Sequence, residues 1–209
     1  MQRIRVGAGS ADDLREWLRP AIDALRNHRV VAYPTDTLYG LGADPRSSAA
    51  MAKIFAAKRR PQDQPIPLIA GSRAHVDDIG RLTPLGIQLA EHFWPGPLTL
   101  IVTASPDLCP EVHRGTGKVA VRIPDHAVAR ALSNEFGYAI TSTSANLSGA
   151  RAAVDADEVL PIEKGIAVLI DGGPAAGGLP STIVDVTGSA PILVRAGAVP
   201  WERVLKFLR

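Results

Sequence analysis

Short runs of apolar, largely β-branched residues alternate along this chain with stretches whose apolar positions fall three and four apart, a pattern that predicts a mixed α/β fold. The runs at 29–33, 66–70, 98–103, 119–123, 139–143, 166–170, 182–186 and 192–195 read as strands. IAVLI at 166–170 is apolar throughout and should be covered on both faces. TIVDV at 182–186 alternates and should keep one wetter face. Ser10 stands where it can cap a helix bearing Leu14, Leu18, Ile22 and Leu25 on one side, and Pro20 should kink or split that helix. Further helices are expected from about Ser48 to Lys58, from about Thr83 until Pro95, from a capping Asp125 to Gly137, and over Trp201, Val204, Leu205 and Leu208. The expected architecture is a twisted mixed sheet flanked by helices, in a single domain over residues 1–209.

Composition narrows the function classes. Of 209 residues, 46% are hydrophobic and 21% charged, enough apolar material for a core and too little charge for a disordered chain. The net charge of +2 is weak, so nucleic-acid binding would need a local basic patch. The one cysteine, Cys109, excludes an intramolecular disulfide scaffold and a thiolate zinc site, fits a reducing compartment, and reads as a small buried residue. No apolar run approaches the length of a membrane span and none near the N-terminus suits a signal peptide, so a soluble cytoplasmic protein without membrane contact is expected. The glycine-rich GGPAAGGLP at 172–180 reads as a mobile loop closing over a site.

Polar segments border several of these strands. PTDT at 34–37 and LYGLG at 38–42 follow the first, and hydroxyls and glycines at a strand's carboxyl edge suit a ligand that backbone must approach closely. A plain turn closed by the Asp36 carboxylate would look the same. In KRRP at 58–61 the helix should end at Lys58, with Pro61 holding Arg60 extended. Alternation then gives Lys58 and Arg60 a shared face, an ammonium beside a planar fork, fit for a polyphosphate, with Arg59 turned elsewhere. Cations neutralising a helix C-terminus are the plainer alternative. TSTSANLSG at 141–149 is denser in hydroxyls than a turn requires. Arg122 and Arg195 lie among apolar neighbours in strands and should project from the opposite face toward a common anionic ligand, unless ion pairs to Asp171 or Asp185 account for them. The five histidines show no metal-ligand spacing and read as surface or capping residues. GxxxxGK[ST], HExxH and GxSxG patterns are absent, which removes support for nucleophilic and zinc-hydrolytic mechanisms.

Taken in order, PTDTLYGLG, the Lys-x-Arg of KRRPQDQP, WPGPLTLIV, VAVRIPDH, SANLSG, STIVD and ILVRAG resemble the YrdC-type threonylcarbamoyl-AMP synthases over residues 30–197. The resemblance implies a concave ligand-binding cavity and a reaction in which L-threonine, bicarbonate and ATP yield threonylcarbamoyl-AMP and diphosphate. The product would feed a threonylcarbamoyl transferase complex that modifies the tRNA adenosine beside the anticodon. By the same resemblance Lys58, Arg60, Ser144, Asn146 and Arg195 bind ATP, Lys58 and Arg60 being catalytic, and Thr35, Thr37, Arg122, Ser142 and Ser181 bind threonine. Arg122 would clamp the carboxylate at two points, and Mg²⁺ would be held by the triphosphate instead of by protein carboxylates. Gln64 stands where a small amide often sits, and Ile69 and Lys118 depart from a His and a hydroxyl found in some members. Larger relatives carry an added C-terminal domain, so the single-domain form is expected. The competing readings are a non-catalytic tRNA- or double-stranded-RNA-binding module contacting phosphates through Arg59, Arg60, Arg73, Arg114, Lys118 and Arg151, though aromatics are only 5%, and a carbamoyl-adenylate step serving another acceptor.

Overall fold

The structure, a computed structural model, describes residues 1–7, 9–59 and 64–208. The chain runs through β1 (Gln2–Arg5), α1 (Ala11–Arg26), β2 (Val31–Tyr33), β3 (Gly40–Gly42), α2 (Ser48–Lys58), β4 (Leu68–Ile69), α3 (Arg73–Ile79) and β5 (Gly80–Arg81). It continues through α4 (Pro84–Phe93), β6 (Leu98–Ala104), α5 (Pro110–His113), β7 (Lys118–Arg122), α6 (Ala127–Phe136), β8 (Ile140–Thr141) and β9 (Thr143–Ser144). A 3-10 helix (Asp157–Gly165), β10 (Val168–Asp171), β11 (Thr182–Asp185), β12 (Ile192–Arg195) and α7 (Trp201–Phe207) complete it.

The mixed α/β architecture is as expected, but its strands are divided between two sheets that share one hydrophobic core. The first has the order β1-β10-β2-β3-β9, parallel across β1, β10 and β2 and antiparallel beyond. The second has the order β12-β11-β6-β7-β4-β8, with β5 added to β6. The division falls within the single run expected at 139–143. Ile140 and Thr141 pair with β4 in the second sheet, whereas Thr143 and Ser144 pair with β3 in the first. Thr141 makes the crossing by donating its N–H to Ala43 O at 3.1 Å and its hydroxyl to Leu41 O at 2.9 Å.

Pro20 does not split α1. Ser10 and Asp13 form a capping box, and the helix runs unbroken with Leu18, Ala21, Ile22, Ala24 and Leu25 buried against β10 and β2. A proline in a helix interior costs about 3 kcal/mol. Burying three large aliphatic side chains returns about 1.5–3 kcal/mol each, which outweighs it. Asp125 does not cap α6 either. The N-cap is His126, without a side-chain bond, while Asp125 accepts from Arg130 at 3.1 Å. Gly137 ends that helix at φ 82°, as its position predicts. Residues 166–170 are buried throughout and β11 alternates, both as expected. No helix among the described residues is long and apolar enough to cross a membrane.

Candidate functional site

The loop after β2 is closed by Thr35, not by Asp36. The Thr35 hydroxyl accepts the N–H groups of Thr37 and Leu38, both at 3.2 Å, and donates to Leu38 O at 2.7 Å. The Asp36 carboxylate is thereby released from the loop and pairs with Arg122 Nη1, while its Oδ2 accepts the Asp125 N–H at 3.1 Å. Arg122 ends β7 with 5% of its surface exposed, and its Nη2 donates to the hydroxyls of Thr35 at 3.2 Å and Thr37 at 3.1 Å. The ion pair is therefore with Asp36. Asp171 instead takes Arg3 at 2.9 Å, and Asp185 takes Lys118 at 2.8 Å.

The start of β11 and the end of β12 supply the facing side. Arg195 donates from Nη2 to the Ser181 hydroxyl at 3.1 Å and to Ser181 O at 2.8 Å, and the Ser181 hydroxyl shares a 2.8 Å hydrogen bond with Thr99 on β6. Burial, followed by the like charge of Arg122, holds the Arg195 guanidinium below its ordinary value. Tyr33 lies beneath, fully buried, donating to Thr141 O at 2.9 Å. Burial pushes its phenol up, and the Ser142 hydroxyl and the Arg122 charge act against that shift. Thr35, Thr37 and Arg122 thus form one hydrogen-bonded group, Ser181 and Arg195 a second that feels the charge of Arg122, and Ser142 meets the buried Tyr33 hydroxyl. Thr99 was not singled out from the sequence, although a hydroxyl near the start of an otherwise apolar run was a readable signal.

Gly197 keeps this side in register, since a Cβ there would stand 2.2 Å from Pro180 O and 2.5 Å from the Ser181 carbonyl carbon, both backbone. Gly197→Ala is expected to cost about 1–3 kcal/mol and to move Arg195 off Ser181. A lowered urea midpoint in chemical denaturation would be the check.

A second group gathers beside the first. Lys58, the last residue of α2, is 2% exposed, and its ammonium donates to Ser144 O, to Asn146 O at 2.9 Å and to Asn146 Oδ1 at 3.0 Å. The Ser144 hydroxyl donates to Asn146 Oδ1 at 2.6 Å, and the Asn146 amide donates to Ala150 O at 2.6 Å. Lys58, Ser144 and Asn146 meet as expected, with the ammonium turned into the loop it holds. Arg59 is left-handed at φ 48° instead of extended. The face that Lys58 and Arg60 are expected to share depends on residue 60. Arg60 itself lies outside the described residues. Arg59 lines a cleft of about 570 Å³ together with Lys53, Leu147 and Lys164.

Among the remaining expectations, Ile69 is fully buried. Gln64 is exposed. Lys118 opens β7, about 13 Å along the strand from Arg122, so that departure lies away from the cluster. The 172–180 loop is laced to the site loop. Gly177 N–H donates to Thr37 O at 3.0 Å and the Tyr39 hydroxyl to Gly173 O at 2.7 Å. The Cys109 thiol is buried and pushed up to about 11, which leaves it protonated at neutral pH. His126, instead of Asp125, stands at the N-cap position of α6 but makes no side-chain cap bond, and its Nδ1 is buried without a hydrogen-bond partner among the described residues. No group of three or more His, Cys, Asp or Glu that could hold a metal gathers among the described residues.

The family model of the Sua5, YciO and YrdC proteins, described as telomere recombination, matches residues 23–197. A threonylcarbamoyl-AMP synthase of Bacillus subtilis is 40% identical over 183 residues, covering 86% of this chain and 53% of the relative. One of Vibrio cholerae is 41% identical over 177 residues, covering 82% of this chain and 94% of the relative. Pyrococcus abyssi Sua5, in a crystal structure complexed with L-threonine, matches with a TM-score of 0.91 at 34% identity, over 100% of this chain and 61% of that one. The chain therefore spans about half the length of the Bacillus relative and nearly all of the Vibrio one.

Proposed function

The chain belongs to the Sua5/YciO/YrdC family, and on that premise we propose that it condenses L-threonine, bicarbonate and ATP to threonylcarbamoyl-AMP and diphosphate. The observation that carries the reading is the adjacency of two polar groups. A buried guanidinium ringed by hydroxyls lies beside a hydroxyl-and-amide loop held by a buried ammonium, with Ser142 and Ser144 two residues apart on the segment they share.

The threonine amine adds to bicarbonate with loss of water, giving a carbamate. One carbamate oxygen then attacks the α-phosphorus of ATP as the bond to diphosphate breaks. Such a transfer asks the protein for position and charge more than for covalent chemistry. Arg122 receives the amino-acid carboxylate. Its Nη1 is already on Asp36 and its Nη2 on two hydroxyls, so the substrate carboxylate would take Nη2 in exchange for the Thr35 and Thr37 bonds. Ser142 and Ser181 read the substrate hydroxyl, and a site that hydrogen-bonds it rejects valine because its own polar groups would be left unpaired. Lys58, Arg60, Ser144, Asn146 and Arg195 take the nucleotide.

Mg²⁺ would be held by the triphosphate and not by protein side chains. The donors in both groups are cations, hydroxyls and an amide, suited to phosphate oxygens, and the one carboxylate among the described residues of these groups, Asp36, is committed to Arg122. The ion would neutralise charge on the departing diphosphate. The product passes to a transferase complex acting on tRNA in the cytoplasm, in keeping with the single, buried, unpaired cysteine.

Diphosphate release is expected to require ATP, threonine and bicarbonate together and to fall to background when any one is omitted. Folded protein that releases none with all three present overturns the reading. Equal release with valine would assign the step to another acceptor, and salt-dependent tRNA binding without any release would favour the RNA-binding module.

A further inference from the structure

We propose that Asp36 is a positioning residue that aims and charge-balances Arg122 for the amino-acid carboxylate, an inference that rests on the synthase reading above. Thr35 alone closes the loop in which Asp36 sits, so the carboxylate has no local turn to make. Its two partners are remote in sequence. Arg122 is 86 residues away and the Asp125 N–H 89 residues away. One carboxylate therefore ties the 34–37 loop both to the end of β7 and to the turn that leads into α6.

Both side chains of the pair are nearly sealed from water, at 6% and 10% exposed. A buried guanidinium without its partner would be driven to reorient or to draw in water. Asp36 fixes the guanidinium through Nη1, and that orientation leaves Nη2 to meet the hydroxyls of Thr35 and Thr37 together. Asp36 also sets the local charge. Arg195 feels the positive charge of Arg122, and the Asp36 carboxylate on Arg122 offsets part of the positive charge gathered there. Without Asp36 the two cations would repel each other and Arg122 would lose its aim. In its presence Arg122 attracts a carboxylate and remains held in one plane.

The test uses the full chain and two readouts, calorimetric titration with L-threonine and steady-state diphosphate release with threonine and ATP varied in turn. Asp36→Asn keeps the shape and removes the charge. It is expected to weaken threonine binding and raise the threonine KM at least about tenfold, with kcat within about threefold and the ATP KM unchanged. Asp36→Glu, which restores the charge one methylene further out, is expected to recover part of that loss. Should Asp36→Asn fail to fold, Asp36→Glu read against wild type carries the test, with an intermediate threonine-only defect expected. An unchanged threonine KM overturns the proposal, as does a lower one, which would make Asp36 a competitor for Arg122. A parallel change in kcat and both KM values, the mark of a merely structural residue, overturns it too. Wild-type protein that takes up no threonine overturns the synthase reading and this proposal with it, whereas threonine bound equally well by wild type and Asp36→Asn overturns this proposal alone.

Discussion

Lys58→Met is expected to cut ATP affinity by on the order of a hundredfold and to lower the free energy of unfolding by about 3 kcal/mol, while leaving threonine affinity close to wild type. The reason is geometric. The ammonium sits at the meeting point of Ser144 O, Asn146 O and Asn146 Oδ1, and it is nearly excluded from water. A buried acceptor left without its donor costs about 1–3 kcal/mol. A thioether fills the volume but supplies no proton, so the 144–146 loop is freed to relax and the hydroxyl and amide that would meet the nucleotide lose their alignment. Lys58→Arg is expected to rescue little, because a planar fork cannot direct donors to three acceptors clustered around a point. ATP calorimetry together with urea denaturation checks both halves. ATP affinity within threefold of wild type would show that the loop is held by other means.

Arg122→Met is expected to be the most destabilising single change in the site, at about 3–5 kcal/mol, because it strands the Asp36 carboxylate in a buried position. It should also reduce threonine-dependent diphosphate release by on the order of a hundredfold or more. The two effects separate in a double variant. Adding Asp36→Leu removes the stranded charge, so much of the lost stability should return while activity stays low. Chemical denaturation and diphosphate release on the same preparations read the two quantities independently. Recovery of activity along with stability would mean that Arg122 serves the fold and not the substrate.

Much of this arrangement was legible in the chain, and what was not has a common cause. The end of α6 at Gly137 was visible because glycine acts within a residue or two of itself, and α2 stops at Lys58, where the chain's pattern placed its end. Long strands such as β6 and β10 announced themselves by apolar runs. β3, β8 and β9 are two or three residues long and carry no usable period, so the exchange between sheets at residue 142 was hidden. The site segments were recognisable as polar punctuation after strands, but their pairings were not. Asp36 could as well have closed its own turn, and only the fold brings it to Arg122 in place of Asp171 or Asp185. Arg59 shows the limit of a local rule. Pro61 restricts residue 60, and the left-handed turn one position earlier lies beyond its reach.

The exchange of strands at Ser142 bears on how the two substrates communicate. Thr141 pairs into one sheet and Thr143 into the other, so on the proposed reading the residue between the amino-acid and nucleotide groups is held by both sheets over one shared core. A displacement of that residue favoured by one substrate would then be felt by the other. Thermodynamic reciprocity then requires that whatever factor ATP adds to the threonine association constant, threonine returns to that of ATP.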